Sequence, residues 1–311
     1  MMKYALITDE HVAELYGKGF CRHLQELGYN VELFSFPVGE ASKSRATKEA
    51  LEDALLQKRF SRDTTIIAMG GGVVTDLAGF LASTFCRGID LILIPTTLMC
   101  MVDAAIGGKT GVNTPQGKNM IGSFYFPKQV IVDPRFLATL PEKEMLCGKV
   151  EILKAGLIAD RELFLNFSSL PLGSSIERAL EIKRRIVAQD PDERGVRRLL
   201  NFGHTFAHAL ETVSGYEISH GEAVAAGLVF EAKISQAMGL LSAEALAQIE
   251  DRVPLVKLSY NREALVQAMG LDKKSRAGFA RFVLLQAIGV PSICEGQYCA
   301  EVPLNLIKRV F

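Results

Sequence analysis

The sequence has no excess of charge of either sign: 35 lysines and arginines balance 35 aspartates and glutamates over 311 residues. That balance leaves no global footprint for nucleic acid or for an anionic membrane, so any attraction to a charged partner must come from local clustering. Paired cysteines are lacking too. Cys21, Cys86, Cys100, Cys147, Cys294 and Cys299 form no CxxC pair and no framework spacing. This excludes a disulfide scaffold and reads as the reduced, packed thiols of a cytosolic protein. No uncharged apolar run reaches the roughly 18 residues of a membrane span, because the greasiest stretch, 66–106, is broken by Asp76, Arg87, Asp90 and Asp103. Nothing at the start resembles a signal peptide, since Met1-Met2-Lys3 runs straight into the strand-like Tyr4–Ile7. The expectation is a soluble, cytoplasmic protein with neither nucleic acid nor membrane as partner.

What is present is an ordinary globular composition, 49% apolar and 23% charged, which excludes disorder over most of the length. The length accommodates two domains. From Tyr4 to about Asp133, short β-branched runs (YALIT, VELFSF, TTIIAM, LILIP, QVIVD) alternate with helical stretches, which argues for a parallel sheet with helices on both faces. After Pro141 the texture changes to long helical segments, 144–157, 174–189, 196–213, 220–238 and 243–250, with only 281–289 reading as extended. The expected division is an α/β Rossmann-like domain over 1–142 and a mainly α-helical domain over 143–311.

Two clusters in the first part point to a bound phosphate. Gly70-Gly71-Gly72 follows a strand and precedes a helix, where glycines let a phosphate reach the N–H groups of a helix N-terminus. The run is not GxGxxG, so pattern alone also fits a tight packing turn. Pro95-Thr96-Thr97 likewise ends a strand, and ligands of open α/β sheets sit at carboxyl ends of strands. The segment Asp103 to Asn119 interleaves Lys109 and Lys118 with glycines. It reads either as a solvated surface loop or as an oxyanion site.

Histidine is the sharper signal. Of five histidines, His204, His208 and His220 fall within seventeen residues. His204 and His208 are four apart and share a helix face with Glu211, while His220 opens the next helical segment. Imidazoles from two adjacent helices with a carboxylate suit a divalent metal, zinc above others. The competing reading is a pair of hydrogen-bonded core histidines plus a capping one. Spacing does not say which two histidines ligate, nor where the carboxylate comes from.

Taken in order, many segments resemble the 3-dehydroquinate synthase family of the sugar phosphate cyclases. They are PVGEASKS (37–44), GGGVVTDLAGFLASTFCRG (70–88), PTTLMCMVDAAIGGKTGVN (95–113), GKNMIGSF (117–124), FLATLPEKE (136–144), VEILKAG (150–156), RRLLNFGHTFAHALE (197–211) and HGEAVAAG (220–227). The resemblance implies a Rossmann-like first domain, a helical second domain, a site in the cleft, catalytic NAD, and zinc with cobalt as the alternative ion. Its metal ligands would be Glu151, His204 and His220. His208, the partner that spacing invites, becomes instead an acid/base and phosphate-contact group, with Glu193 as the other acid/base carboxylate.

The resemblance also assigns substrate contacts to Asp103, Lys109, Asn119, Lys154, Lys183, Arg197, Asn201 and one lysine of the 273–274 pair, taken as Lys274. Arg87 would reach the site of a neighbouring subunit in a homodimer. NAD contacts fall on Asp9, Glu40, Lys43, Gly71, Gly72, Asp76, Thr96, Thr97, Lys118 and Thr139. Lys109, Lys118, Lys154, Lys183, Arg197 and a lysine of the 273–274 pair concentrate positive charge in a neutral chain, as suits a small anionic sugar phosphate with a carboxylate. The implied reaction turns 3-deoxy-D-arabino-heptulosonate 7-phosphate into 3-dehydroquinate and phosphate, with NAD regenerated each cycle. That is a carbon–oxygen lyase of the shikimate pathway to chorismate and the aromatic amino acids.

Other cyclases, acting on sedoheptulose 7-phosphate or glucose 6-phosphate, are the nearest alternative. They tend to depart at the positions of Arg197, Asn201 and His208, which are kept here. A metal-dependent alcohol dehydrogenase, and a binding-only relative without activity, are the others. Three departures stand out: no strand or hairpin before YALITDE, which would expose a sheet edge or reflect an internal start; Ala155 where tyrosine is common; and Ala207 where glycine is common.

Overall fold

A computed structural model describes residues 2–256, 259–271, 280–293 and 296–311. The chain forms two compact units, 1–140 and 141–311. In the first, strands β1 (Lys3–Asp9), β2 (Asn30–Phe36), β3 (Thr64–Gly70), β4 (Asp90–Pro95) and β7 (Gln129–Val130) form a parallel sheet in the order β2-β1-β3-β4-β7. The interposed strands β5 (Lys109–Thr114) and β6 (Gly117–Phe124) pair only with each other. Alternate side chains of β1 and β3 serve opposite faces. Ala5, Ile7, Ile66 and Ala68 pack with Leu51, Leu55, Leu77 and Leu81, from helices α2 (Arg45–Gln57) and α3 (Gly72–Thr84). Leu6, Ile67, Met69 and Ile94 face Val12, Cys21 and Phe20, of which the last two lie on α1 (Lys18–Glu26). A sheet covered on both faces explains why β3 is buried at every residue. Strand order reverses between β1 and β3, and their carboxyl ends carry Asp9 and the glycine run, the topological switch point at which such sheets bind ligands.

The second unit is built on α4 (Glu142–Ala159), α5 (Leu172–Gln189), α6 (His204–Val213) and α7 (His220–Ala237), with shorter helices at Arg161–Asn166, Ala243–Arg252, Arg262–Leu271 and Leu304–Val310. Among the described residues no helix is long and apolar enough to cross a membrane. The parallel sheet followed by helices agrees with the fold class expected from sequence.

Local differences have physical causes. The segment after Asp103 is neither solvated loop nor plain turn: it enters the antiparallel β5–β6 hairpin. Gly111 and Gly122 face each other there, and a Cβ on Gly122 would come 1.9 Å from the Thr110 carbonyl oxygen. Only glycine allows that approach, and its low strand propensity hides the hairpin from pattern reading. The helix expected over 196–213 is two pieces, a 3₁₀ turn at Val196–Asn201 and then α6. Gly203, at φ +82°, makes the break in the left-handed region that favours glycine.

Candidate active site

In the second unit three helices converge, and glycines let them do so. A Cβ on Gly227 of α7 would lie 1.9 Å from the Gly203 carbonyl oxygen, so α6 begins in backbone contact with α7. A Cβ on Gly221 would lie 2.5 Å from Cys147 Cα, so α7 meets α4 equally closely. Ser219 caps α7 in a reciprocal box with Glu222, which fixes His220 at the first helical position. His204 occupies the first position of α6, just past the Gly203 break.

This packing brings Glu151, His204 and His220 together, with one ligand atom of each within 4.8 Å of the others. His204 Nε2 and His220 Nε2 lie 3.7 Å and 3.6 Å from the same oxygen, Glu151 Oε1. The other ring nitrogens are already engaged: His204 Nδ1 is 3.1 Å from the Phe202 carbonyl oxygen, and His220 Nδ1 is 3.4 Å from Glu211 Oε1. An Nδ1–H held by an acceptor leaves the Nε2 lone pair for an ion, the arrangement of histidines that ligate metals. Two imidazoles and a carboxylate, with Glu151 and His204 buried and His220 half-buried, fit a divalent ion such as zinc. His208 is not in this group; its ring stands edge-on to His204 with centroids 5.5 Å apart, and the residue is exposed.

The electrostatics separate the two histidines. Burial, with the positive charge of Lys154 next, holds His204 well below the usual imidazole range, so it is neutral. Burial also works against charge on His220, but Glu151 and Glu211 outweigh it and push that ring up to about 10. An ion at Nε2 would therefore displace a proton from His220. Lys154, one turn after Glu151, forms an ion pair with it, and both side chains are almost wholly buried.

The remaining second-unit residues cluster along one stretch. Glu193 Oε1 accepts a hydrogen bond from Asn201 Nδ2 at 2.8 Å. Arg197 is 2% exposed, and its Nη1 donates to the Pro191 carbonyl at 2.6 Å. Lys183, on α5, is buried as well. Lys274 and its neighbour Lys273 lie outside the described residues.

The first unit assembles a separate set. Gly71 is the N-cap of α3, with ordinary extended backbone. Its glycine therefore serves approach rather than conformation: a Cβ would press on Thr97 Cγ2 at 3.0 Å, while at Gly72 it would meet Ala104 at 3.6 Å. The bare helix N-terminus suits the pyrophosphate of a dinucleotide. Thr96 donates its backbone N–H to the Gly70 carbonyl at 2.9 Å, tying the second cluster to the first. Asp9 caps the helical turn after β1 by accepting from the Val12 N–H at 2.8 Å. Lys43 Nζ donates to Asp76 Oδ2 and to Asn119 Oδ1, each at 2.5 Å. Thr139 Oγ1 lies 2.6 Å from the Tyr16 hydroxyl. Arg87 is exposed at φ +68°, and Asp103 lies within the π-helical turn Cys100–Ala104. Lys109 and Lys118 are exposed on the hairpin.

Two residues of this network escaped the sequence reading. Asn113 Nδ2 donates to Glu40 Oε1 at 2.7 Å, and its Oδ1 accepts from the Asn119 N–H at 2.9 Å. Tyr16 holds Thr139 from a helix that shows no motif. Only the hairpin register, which glycine concealed, could have pointed to Asn113.

Gly71→Val should abolish NAD binding in a protein that still folds, because the clash reaches only the tip of Thr97. Calorimetry with NAD and a circular dichroism spectrum check both halves of this statement. Gly70→Ala should behave differently, since its Cβ would sit 2.5 Å from Val74 Cγ2 inside the core and cost stability instead.

Known proteins resemble the chain over nearly its whole length. The model of the 3-dehydroquinate synthase N-terminal domain matches residues 33–147, and that of the C-terminal domain matches 148–275. A 3-dehydroquinate synthase of Synechococcus sp. is 39% identical over 99% of this chain and 88% of its own length. Among solved structures, a 2-deoxy-scyllo-inosose synthase complexed with carbaglucose-6-phosphate, NAD+ and Co2+ superposes with a TM-score of 0.90 at 27% identity, covering 99% of this chain and 89% of its own. A 2-epi-5-epi-valiolone synthase of Streptomyces hygroscopicus subsp. jinggangensis, with NAD+ and Zn2+ bound, gives 0.89 at 29% identity over 100% and 90%. With both halves matched in order and the likeness extending over nearly its whole length, the chain belongs to the 3-dehydroquinate synthase family.

Proposed function

We infer that this chain catalyses the conversion of 3-deoxy-D-arabino-heptulosonate 7-phosphate to 3-dehydroquinate and phosphate, as a carbon–oxygen lyase dependent on NAD and a divalent metal. The observation that carries the reading is full-length likeness to a 3-dehydroquinate synthase, greater than the likeness to either of the other two synthases. Retention of Arg197, Asn201 and His208, where cyclases of other substrates tend to depart, supports the same choice.

When bound, NAD supplies a reversible hydride acceptor and the ion a Lewis acid for adjacent hydroxyls. The chain's own part is placement and charge. Glu151, His204 and His220 hold the ion; Gly71 and Gly72, with Thr96 and Thr97 beside them, receive the pyrophosphate of NAD. Lys154 (2% exposed), Lys183 (8%) and Arg197 (2%) are cations withdrawn from water. Such charges gain most from an anionic ligand, here one that carries both phosphate and carboxylate. Glu193 and His208 are the two groups that exchange protons with substrate, and Asn201 orients Glu193 through its amide. Asp103, Lys109, Asn119 and Lys274 are the further substrate-contact positions of this reading. The reading includes a homodimer in which Arg87 extends to the partner's site.

The test is phosphate release from the heptulosonate phosphate. Release should need NAD only in catalytic amount, stop with a chelator, and resume on adding zinc or cobalt. NADH that accumulates in step with substrate loss would instead identify a dehydrogenase.

A further inference from the structure

The eight residues that follow α5 contain two of the groups proposed to face substrate, Glu193 and Arg197, yet they form no regular structure until the 3₁₀ turn at Val196. Their shape is organised around one side chain that touches neither substrate nor cofactor in the reading above. Asp190, the C-cap of α5, turns its carboxylate back into the loop. Its Oδ1 accepts from the Arg194 N–H at 2.9 Å, and its Oδ2 accepts from the N–H groups of Gly195 at 2.7 Å and Arg197 at 3.0 Å. Its carbonyl oxygen accepts from the Glu193 N–H at 3.3 Å. Every bond runs to backbone: two to the N–H groups of Glu193 and Arg197 themselves, and two to Arg194 and Gly195 between them.

The loop needs such a centre because one of its residues is costly. Glu193 has φ +59°, a left-handed conformation that residues with a Cβ rarely adopt. A conformation of that kind persists only where its surroundings over-determine it. The chain is fixed on both sides of Glu193, by its own N–H to the Asp190 carbonyl and by the three N–H groups downstream on the Asp190 carboxylate. Burial pushes that carboxyl up, but the three N–H donors outweigh it and hold it below the usual carboxylate range. It therefore stays an anion at neutral pH, the form that accepts all three bonds.

We infer that Asp190 is a positioning residue, which sets where the Glu193 carboxylate and the Arg197 guanidinium stand by folding the loop between them around its own carboxylate. The inference rests on the proposed roles of Glu193 and Arg197, and the experiment separates the two. Asp190→Ala removes both carboxylate oxygens, and with them the three bonds to Arg194, Gly195 and Arg197, while the backbone carbonyl that accepts from Glu193 stays. Asp190→Asn keeps the shape but replaces one oxygen with an NH2 that faces N–H donors.

In Asp190→Ala, kcat/KM for the heptulosonate phosphate should fall on the order of a hundredfold, as misplacing catalytic groups by about an ångström does. Metal content and NAD affinity should stay within about twofold, because the Asp190 carboxylate bonds to the backbone of residues 194–197 and not to a proposed ligand of either. Asp190→Asn should fall in the same direction but less. Asp190→Asn combined with Glu193→Gln should lose less than the product of the two single losses, since one acts through the other. Activity of a folded Asp190→Ala within about threefold of the parent overturns the inference. If the alanine variant does not fold, Asp190→Asn decides: normal kinetics there overturn it equally. Glu193→Gln and Arg197→Lys serve as controls. Normal turnover by both overturns the site reading and the inference with it, whereas impaired controls beside a normal Asp190→Ala overturn the inference alone.

Discussion

His204→Ala should remove bound metal and activity together, while His208→Ala, four residues on, should keep the metal and lose turnover. His204 presents Nε2 to Glu151 with its other nitrogen held by the Phe202 carbonyl. Without it, one imidazole and one carboxylate remain, too few for tight binding of zinc. Lewis-acid assistance is worth several kcal/mol, so the loss of activity should be on the order of a thousandfold or more. His208 is exposed and outside the group of ligand atoms, so its removal should cost a proton-transfer contribution of about a hundredfold to ten-thousandfold. Elemental analysis of the dialysed variants, beside a phosphate-release assay, separates the two. Equal depletion of metal in both would show that His208 shares the ion.

Arg197→Lys should weaken use of the heptulosonate phosphate severely and leave metal and NAD binding intact. The guanidinium is 2% exposed and anchored by its donation to the Pro191 carbonyl, so its position is fixed. A guanidinium grips both oxygens of a carboxylate, whereas an ammonium is a point charge at a different reach. Breaking a desolvated charge-assisted pair costs roughly 2–5 kcal/mol, about thirty-fold or more. Sedoheptulose 7-phosphate, which has no carboxylate to offer, should be a poor substrate of the parent enzyme because Arg197 would lose its partner. Steady-state kinetics on both sugars check this. Efficient turnover of sedoheptulose 7-phosphate with little on the heptulosonate phosphate would make the chain a cyclase of another specificity.

The alternation of strands and helices was legible because a sheet buried on both faces writes itself as short β-branched runs. The hairpin was not, because Gly111 and Gly122 are selected by backbone contact and carry no periodic signal. The metal cluster shows the same limit. Helical spacing sees only neighbours on one helix, so it pairs His204 with His208. Glu151 comes from α4 and His220 from α7, and no spacing rule connects them; the ordered motifs of a family did. Glu211 was placed on the same side as the two histidines of α6, but its carboxylate is turned to His220 of the next helix. Asp190 and Asn113 were invisible for a further reason. Their partners are largely backbone amides, and any residue supplies an amide.

The backbone contact of Gly203 with Gly227 bears on how the protein loses its structure. The helices themselves need only local hydrogen bonds, whereas the ligand triangle exists only once α4, α6 and α7 have docked against one another. A state that kept its helices but loosened its packing, as many proteins do in acid, would keep the far-ultraviolet spectrum of the native chain. It would nonetheless have lost the triangle, since no side chain at either glycine could repack to restore the distance. At a fixed pH, where the protonation of the ligands themselves is constant, bound metal is in that sense a gauge of tertiary order.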